Sequence, residues 1–212
     1  MTRILKRRDF ISGITVFTAG SIALNACNQS KVPSKSATEN KIAENRKMPR
    51  DLVFKMLDQK VDQFMQISFN CAQSSFLALK EQFGLEGDQI LKALTPLSGI
   101  AERGETCGAV IGPLMIMGLI YGRDKNQLND WDKYRNSLIP SGKFCRIFEQ
   151  DYGSTMCHEI QKVKFGKCYD LNAPEDLRAF QEADATSHCS AVVRNAVRIA
   201  AEIILDDTNE LN

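Results

Sequence analysis

Gly104-Glu105-Thr106-Cys107-Gly108-Ala109-Val110-Ile111-Gly112 runs straight into the apolar segment Leu114 to Tyr121. A polar loop therefore delivers a cysteine to the start of a buried helix. Thr106 has the chemistry of an N-cap, which predicts Cys107 in the first helical turn. Free backbone N–H groups and the positive end of the helix dipole favour a thiolate there. Gly108 and Gly112 are four residues apart and share one helix face, so a second backbone or a bulky cofactor is able to approach closely. Both glycines are therefore candidate cofactor-binding positions. Pro113 removes one helical hydrogen bond and predicts a kink. The competing reading of Cys107 is a small buried hydrophobe in a Gly-rich helix start.

The chain around this stretch has 212 residues, with 43% hydrophobic and 25% charged residues, a globular composition of one or at most two domains. The formal net charge is +1, which gives no electrostatic basis for nucleic-acid binding. Basic charge gathers at the start, where Arg3, Lys6, Arg7 and Arg8 face a single acid, Asp9, within residues 1–27.

That start reads as an address. Lys6-Arg7-Arg8-Asp9-Phe10-Ile11-Ser12 resembles the twin-arginine export motif, and a mildly apolar segment follows from Ile11 to Ala26. The segment is short for a membrane span and has the flanks of a signal peptide. It ends Leu24-Asn25-Ala26-Cys27, which resembles a lipoprotein signal-peptidase box. The resemblance implies a cleaved leader, a lipidated Cys27, and an extracytoplasmic protein held at a membrane by its lipid. An uncleaved signal anchor is the alternative and leads to the same side of the membrane. Residues 28–49, rich in Ser, Lys, Asn, Glu and Ala, read as a flexible tether. The folded domain is expected over residues 50–212.

The domain reads as an all-α bundle. Leu52, Val53, Met56, Leu57, Val61, Phe64 and Met65 recur at helical spacing. Asn70 and Gln73 imitate a capping box for a helix ending at Gly84. A short helix is expected from Asp88 to Leu94, and the Cys107 helix to about Gly122. A helix from Asn129 to about Tyr152 is expected to break at Pro140-Ser141-Gly142, and Ser154 to cap a short helix reaching about Lys164. Glu175 to Leu205 reads as one long helix or two joined near Ala185-Thr186-Ser187. No alternation long enough for a sheet appears, nor a phosphate loop, dinucleotide fingerprint or His-Glu-x-x-His motif.

With Cys27 assigned to lipid, six cysteines remain. Cys71, Cys107, Cys157 and Cys189 each follow a Ser, Thr or Asn within three residues and fall near a predicted helix start. Helix starts lower thiol pKa values, so four of them point to thiolates gathered at one site. Cys145 reads as mid-helix and Cys168 as a loop residue.

Asn70-Cys71-Ala72-Gln73, the Gly104–Gly112 stretch, Gly153-Ser154-Thr155-Met156-Cys157 and His188-Cys189 together resemble the family of redox-active proteins named for the pattern C_GCAxxG_C_C. The resemblance covers roughly Met65 to Leu205, with Gly108 where the pattern carries alanine. It implies thiol redox chemistry or cofactor binding at Cys71, Cys107, Cys157 and Cys189, with a redox partner of unspecified identity. Four thiolates also suit zinc or an iron–sulfur centre, although no Cys-x-x-Cys pair is present. A non-catalytic lipoprotein stapled by disulfides fits the even cysteine count. A c-type haem is a weaker reading, because Ser154 stands where its attachment motif needs a cysteine. His158 and His188 adjoin pattern cysteines and are candidate ligands or proton donors, or plain surface histidines.

Overall fold

The chain buries its apolar faces against one central helix, α3 (Cys71–Phe83), in a computed structural model that describes residues 35–207. Ten α-helices occur among the described residues: α1 (Lys35–Lys47), α2 (Arg50–Ser68), α3, α4 (Asp88–Ala93), the single turn α5 (Gly99–Glu102), α6 (Gly108–Tyr121), α7 (Trp131–Tyr152), α8 (Cys157–Phe165), α9 (Pro174–Glu182) and α10 (Ala185–Asp206). The fold is all-α, as the periodicity predicts. The leader and Cys27 lie outside the described residues.

Each helix forms where its apolar period demands. In α2, Val53, Leu57, Val61 and Met65 recur every four residues and are buried. They meet Ala72, Phe76, Leu79 and Phe83 of α3, all without solvent exposure. Helix α6 is apolar on every face, as suits an element packed against α3, α7 and α10. In α10, Val193, Ala196, Val197 and Ala200 close the core. Arg194 and Arg198 on its outer side pair with Asp62 and Asp58 of α2.

Two expectations need correction. Residues 35–47, read as tether, form α1, which packs on α3 and α10 through buried Ile42 and Asn45. Asn45 Nδ2 donates to the Gln82 carbonyl at 3.0 Å, and Gln82 Nε2 donates to Asn45 Oδ1 at 2.6 Å. A polar-looking helix is thus fastened by a buried amide pair as well as by one isoleucine, so composition alone reads it as linker. Helix α7 does not break at Pro140 but continues to Tyr152. Pro140 has no N–H to give the Asn136 carbonyl, and Asn136 lies on the exposed side of the helix. Phe144 and Phe148 beyond it are fully buried and hold the second half in place. Of the two readings of the C-terminal segment, the structure has the two-helix one, with the joint at Asp184, whose backbone is left-handed with φ 49°.

Candidate functional site

The four pattern cysteines reach one place from four separate elements. Cys71 is the first residue of α3, and the Asn70 side chain accepts from the Ala72 and Gln73 backbone N–H groups at 3.1 and 3.0 Å. The Gln73 side chain does not return to Asn70; it donates to Leu91 O and Thr95 Oγ1, fixing the α4 region beside Cys71. Cys157 is the first residue of α8. Cys107 is itself the N-cap of α6, rather than a first-turn residue behind Thr106. Cys189 is the fifth residue of α10, beyond the first turn. Convergence at helix starts therefore describes Cys71, Cys107 and Cys157, whereas Cys189 enters from the side of a helix.

A two-residue antiparallel bridge holds two of these starts together. Thr106 pairs with Met156, Cys107 N donates to Thr155 O at 2.9 Å, and Cys157 N donates to Glu105 O at 2.7 Å. His158 reinforces it. Its backbone N–H and its Nδ1 both donate to Gly104 O, at 2.9 and 2.7 Å, the ring proton being placed on Nδ1 because a carbonyl only accepts. Nε2 lies 2.8 Å from the Glu159 carboxylate. His158 thus clamps the loop that carries Cys107. His188 instead lines the cavity at the site and stands edge-on to Phe165.

A second loop covers the cluster. Gly99, Ile100, Ala101 and Glu102 all have positive φ, between 49° and 60°, one turn of left-handed helix. Such a turn costs on the order of 1–2 kcal/mol for each non-glycine residue, and a β-branched isoleucine is unusual there. It is held by Glu102 N to Ser98 O at 2.9 Å and Glu105 N to Gly99 O at 3.1 Å. Its consequence is positional. Ser98 Oγ lies 2.9 Å from Cys71 Sγ, and a Cβ on Gly99 would stand 3.7 Å from Cys157 Sγ.

Gly108 and Gly112 do not make room for a cofactor. A Cβ on Gly108 would lie 2.5 Å from both Ala72 N and Cys71 Sγ. One on Gly112 would lie 2.0 Å from Ser75 Oγ and 2.7 Å from Ala72 O. The space is filled by α3, whose backbone approaches α6 so closely that no side chain fits. Ser75 Oγ, buried between the helices, reaches Cys71 O at 2.7 Å and Gly108 O at 3.3 Å. The close approach presses Cys71 Sγ against the first residue of α6, beside Cys107.

Cys71, Cys107, Cys157 and Cys189 line a common cavity of about 30 Å³, with Ala109, Phe165, His188 and Val192 among its walls. Cys107 is the middle thiol. Its S–H beside Cys71, aided by Ser98 and the Gly108 backbone N–H, lowers the Cys71 pKa to about 7 against the opposing effect of burial. The same S–H, with Gln161, lowers Cys157. Cys107 is pushed well above the ordinary thiol range by Cys157, by Cys71 and by burial. One S–H serves one acceptor at a time, and two thiolates flanking it would repel. Cys71, with two further donors, is therefore the favoured thiolate. Cys189 is driven upward by burial, with the charges of Cys71 and Cys157 adding to it, and stays a thiol.

Ser98 and Gln161 are the polar partners that the sequence reading missed. Gln161 is 3% exposed; its Nε2 donates to Cys157 Sγ at 3.4 Å while its Oε1 accepts from Tyr169 N at 2.8 Å. Its position four residues after Cys157, on one face of α8, is a signal that would have found it. Nothing local marks Ser98. Cys145 on α7 and the exposed Cys168 do not line the cavity.

All six cysteines of the described residues are free, so no disulfide staples them here. Among the described residues, no group of three or more His, Cys, Asp or Glu side chains is placed to hold a metal ion. The zinc and iron–sulfur expectation thus has no ready donor set. The thiols instead engage one another, Ser98 and Gln161.

The model of the family described as "Putative redox-active protein (C_GCAxxG_C_C)" matches residues 69–203, well over half of the chain. The chain belongs to the C_GCAxxG_C_C family. No curated protein and no solved structure matched it. The C_GCAxxG_C_C match spans α3 to nearly the end of α10, the elements that carry the four cavity cysteines, and leaves α1 and α2 outside.

Proposed function

We propose that this protein is an exported, membrane-anchored thiol redox protein in which Cys71 and Cys107 interconvert between dithiol and disulfide. The observation that carries the reading is the contact between a thiol tuned to about pH 7, Cys71, and the buried thiol of Cys107, which is 7% exposed. Cys71 is the attacking sulfur. Its thiolate bonds to the electrophilic atom of an oxidant and expels the leaving group with its electron pair. Cys107 then loses its proton, attacks Cys71 Sγ, and releases the reduced remainder of the oxidant. Two electrons leave the pair, and a reductant returns them by the reverse exchange. Cys157, also lowered in pKa and in contact with Cys107, is placed to take the Cys107 proton. The high pKa of Cys107 keeps the second sulfur inert until Cys71 has reacted.

A redox titration tests this assignment. Equilibration against graded thiol–disulfide buffers is expected to give one two-electron transition. Cys71→Ser and Cys107→Ser each abolish it, and Cys145→Ser leaves it in place. Retention of the transition in Cys107→Ser would refute the pair.

Export and anchoring rest on Arg7-Arg8, the short apolar stretch and Leu24-Asn25-Ala26-Cys27. Mass spectrometry of the membrane fraction is expected to find an acylated N-terminus at Cys27. An unmodified chain beginning at Met1 in the cytosol would contradict it.

A further inference from the structure

The cavity beside the thiols, open to solvent on one side, sets how large a molecule can be enclosed against them. By the measure that gives one water about 10–15 Å³, a cavity of about 30 Å³ takes roughly two oxygen-sized atoms. A disulfide-bearing molecule or an alkyl hydroperoxide is larger and is not enclosed, so it meets the partly exposed Cys71 only from the mouth: it equilibrates with the pair but reacts more slowly. Ala109, Ile160, Phe165, Val192 and Val193 give the wall an apolar surface, with Gln161, Lys164 and His188 also among its lining residues, and an apolar surface favours a small uncharged molecule. Two cysteines of the wall, Cys71 and Cys107, are neighbours, and Ser98 Oγ stands 2.9 Å from Cys71 Sγ.

From this geometry we infer that the oxidant of the Cys71–Cys107 pair is hydrogen peroxide, admitted to the cavity by size. The inference rests on the thiol-pair reading above and names its substrate. The Cys71 thiolate attacks one peroxide oxygen. The S–O bond forms, the O–O bond breaks, and hydroxide leaves with the electron pair. That hydroxide takes the Cys157 proton and becomes water, while Cys157 takes the proton of Cys107. The Cys107 thiolate attacks Cys71 Sγ, the S–S bond forms, the S–O bond breaks, and a second hydroxide departs. Thiolate, thiol and peroxide thus give disulfide, water and hydroxide, with two electrons passing from the two sulfurs to the peroxide.

The magnitude follows from thiolate supply. With a pKa of about 7, Cys71 is half ionised at pH 7, whereas a free cysteine is ~3% ionised. The ~16-fold gain in thiolate is offset by a ~5-fold loss of intrinsic nucleophilicity, leaving about a threefold advantage. Selectivity is the sharper signature.

The experiment mixes the fully reduced protein with hydrogen peroxide or tert-butyl hydroperoxide at pH 7 and follows thiol loss in stopped flow, with free cysteine in parallel. Expected is consumption of one equivalent of hydrogen peroxide, at about three times the free-cysteine rate. The preference for hydrogen peroxide over tert-butyl hydroperoxide should be at least tenfold above that of free cysteine. Cys107→Ser is expected to stop at a sulfenic acid, trapped by dimedone on Cys71. Val192→Ala, which widens the cavity by two methyl groups, lowers the peroxide selectivity. Should Cys107→Ser not fold, the site of early dimedone adducts on the unaltered protein gives the same answer. A preference equal to that of free cysteine, or a first adduct on Cys145 or Cys168, would overturn the inference. If a disulfide still forms between Cys71 and Cys107 with diamide, the thiol pair stands and the peroxide assignment alone fails.

Discussion

Cys71 and Cys189 line the same cavity and are pulled in opposite directions. Cys71 has the Cys107 S–H, Ser98 Oγ and the Gly108 N–H around its sulfur. Cys189 has burial as its dominant influence. Residue type is the same in both, so donors decide the charge state. Alkylation of Cys71 is accordingly expected to rise with pH through a midpoint near 7, because the thiolate is the reacting form and its pKa is lowered. Ser98→Ala removes a charge-assisted hydrogen bond of about 1.5–3 kcal/mol in the stronger cases. As one of several donors, its loss should raise the midpoint by about one pH unit and slow the reaction at pH 7 severalfold. A mass-resolved iodoacetamide titration reads both, and a midpoint near 8.5 in the unaltered protein would contradict the account.

At the scale of elements, the α3–α6 contact sets the site. Gly108 and Gly112 carry it, because any side chain there collides with the backbone of α3. Gly108→Ala and Gly112→Ala are each expected to destabilise the fold by about 1–3 kcal/mol, the usual range for overpacking, and to separate Cys71 from Cys107. Gly118→Ala on the same helix meets nothing within 4 Å and should stabilise by up to about 1 kcal/mol from helix propensity. Urea unfolding measures all three; equal effects would refute the packing role. The sequence carries the spacing of these glycines but not what fills the gap, since a backbone and a cofactor leave the same signature. Cys107 as N-cap, the left-handed turn at Gly99–Glu102 and the Thr106–Met156 bridge leave no periodic trace either. Each is one or two residues of backbone held by partners distant in sequence. Helix boundaries were legible because apolar period, caps and glycines all act locally. Pro140 and α1 depart from that reading because the buried Phe144 and Phe148 and a buried amide pair override composition.

For the whole molecule, the bundle is a device for bringing the starts of α3, α6 and α8 to one small cavity and α10 alongside. The order of the four cysteines and the place of Cys71, Cys107 and Cys157 at helix starts could be read from the chain; the side entry of Cys189 and their unequal roles could not, because these depend on Ser98, Gln161 and the central position of Cys107. No described helix is long and apolar enough to cross a membrane, so in the proposed reading the anchor is the lipid on Cys27. The central claim is that Cys71 and Cys107 form the working pair. Its most direct test is disulfide mapping by mass spectrometry after brief, limited oxidation of the fully reduced protein. The account predicts a Cys71–Cys107 linkage as the first product, with Cys145, Cys168 and Cys189 still free. A first linkage that omits Cys71 or Cys107, or none among the four cavity cysteines, would contradict it.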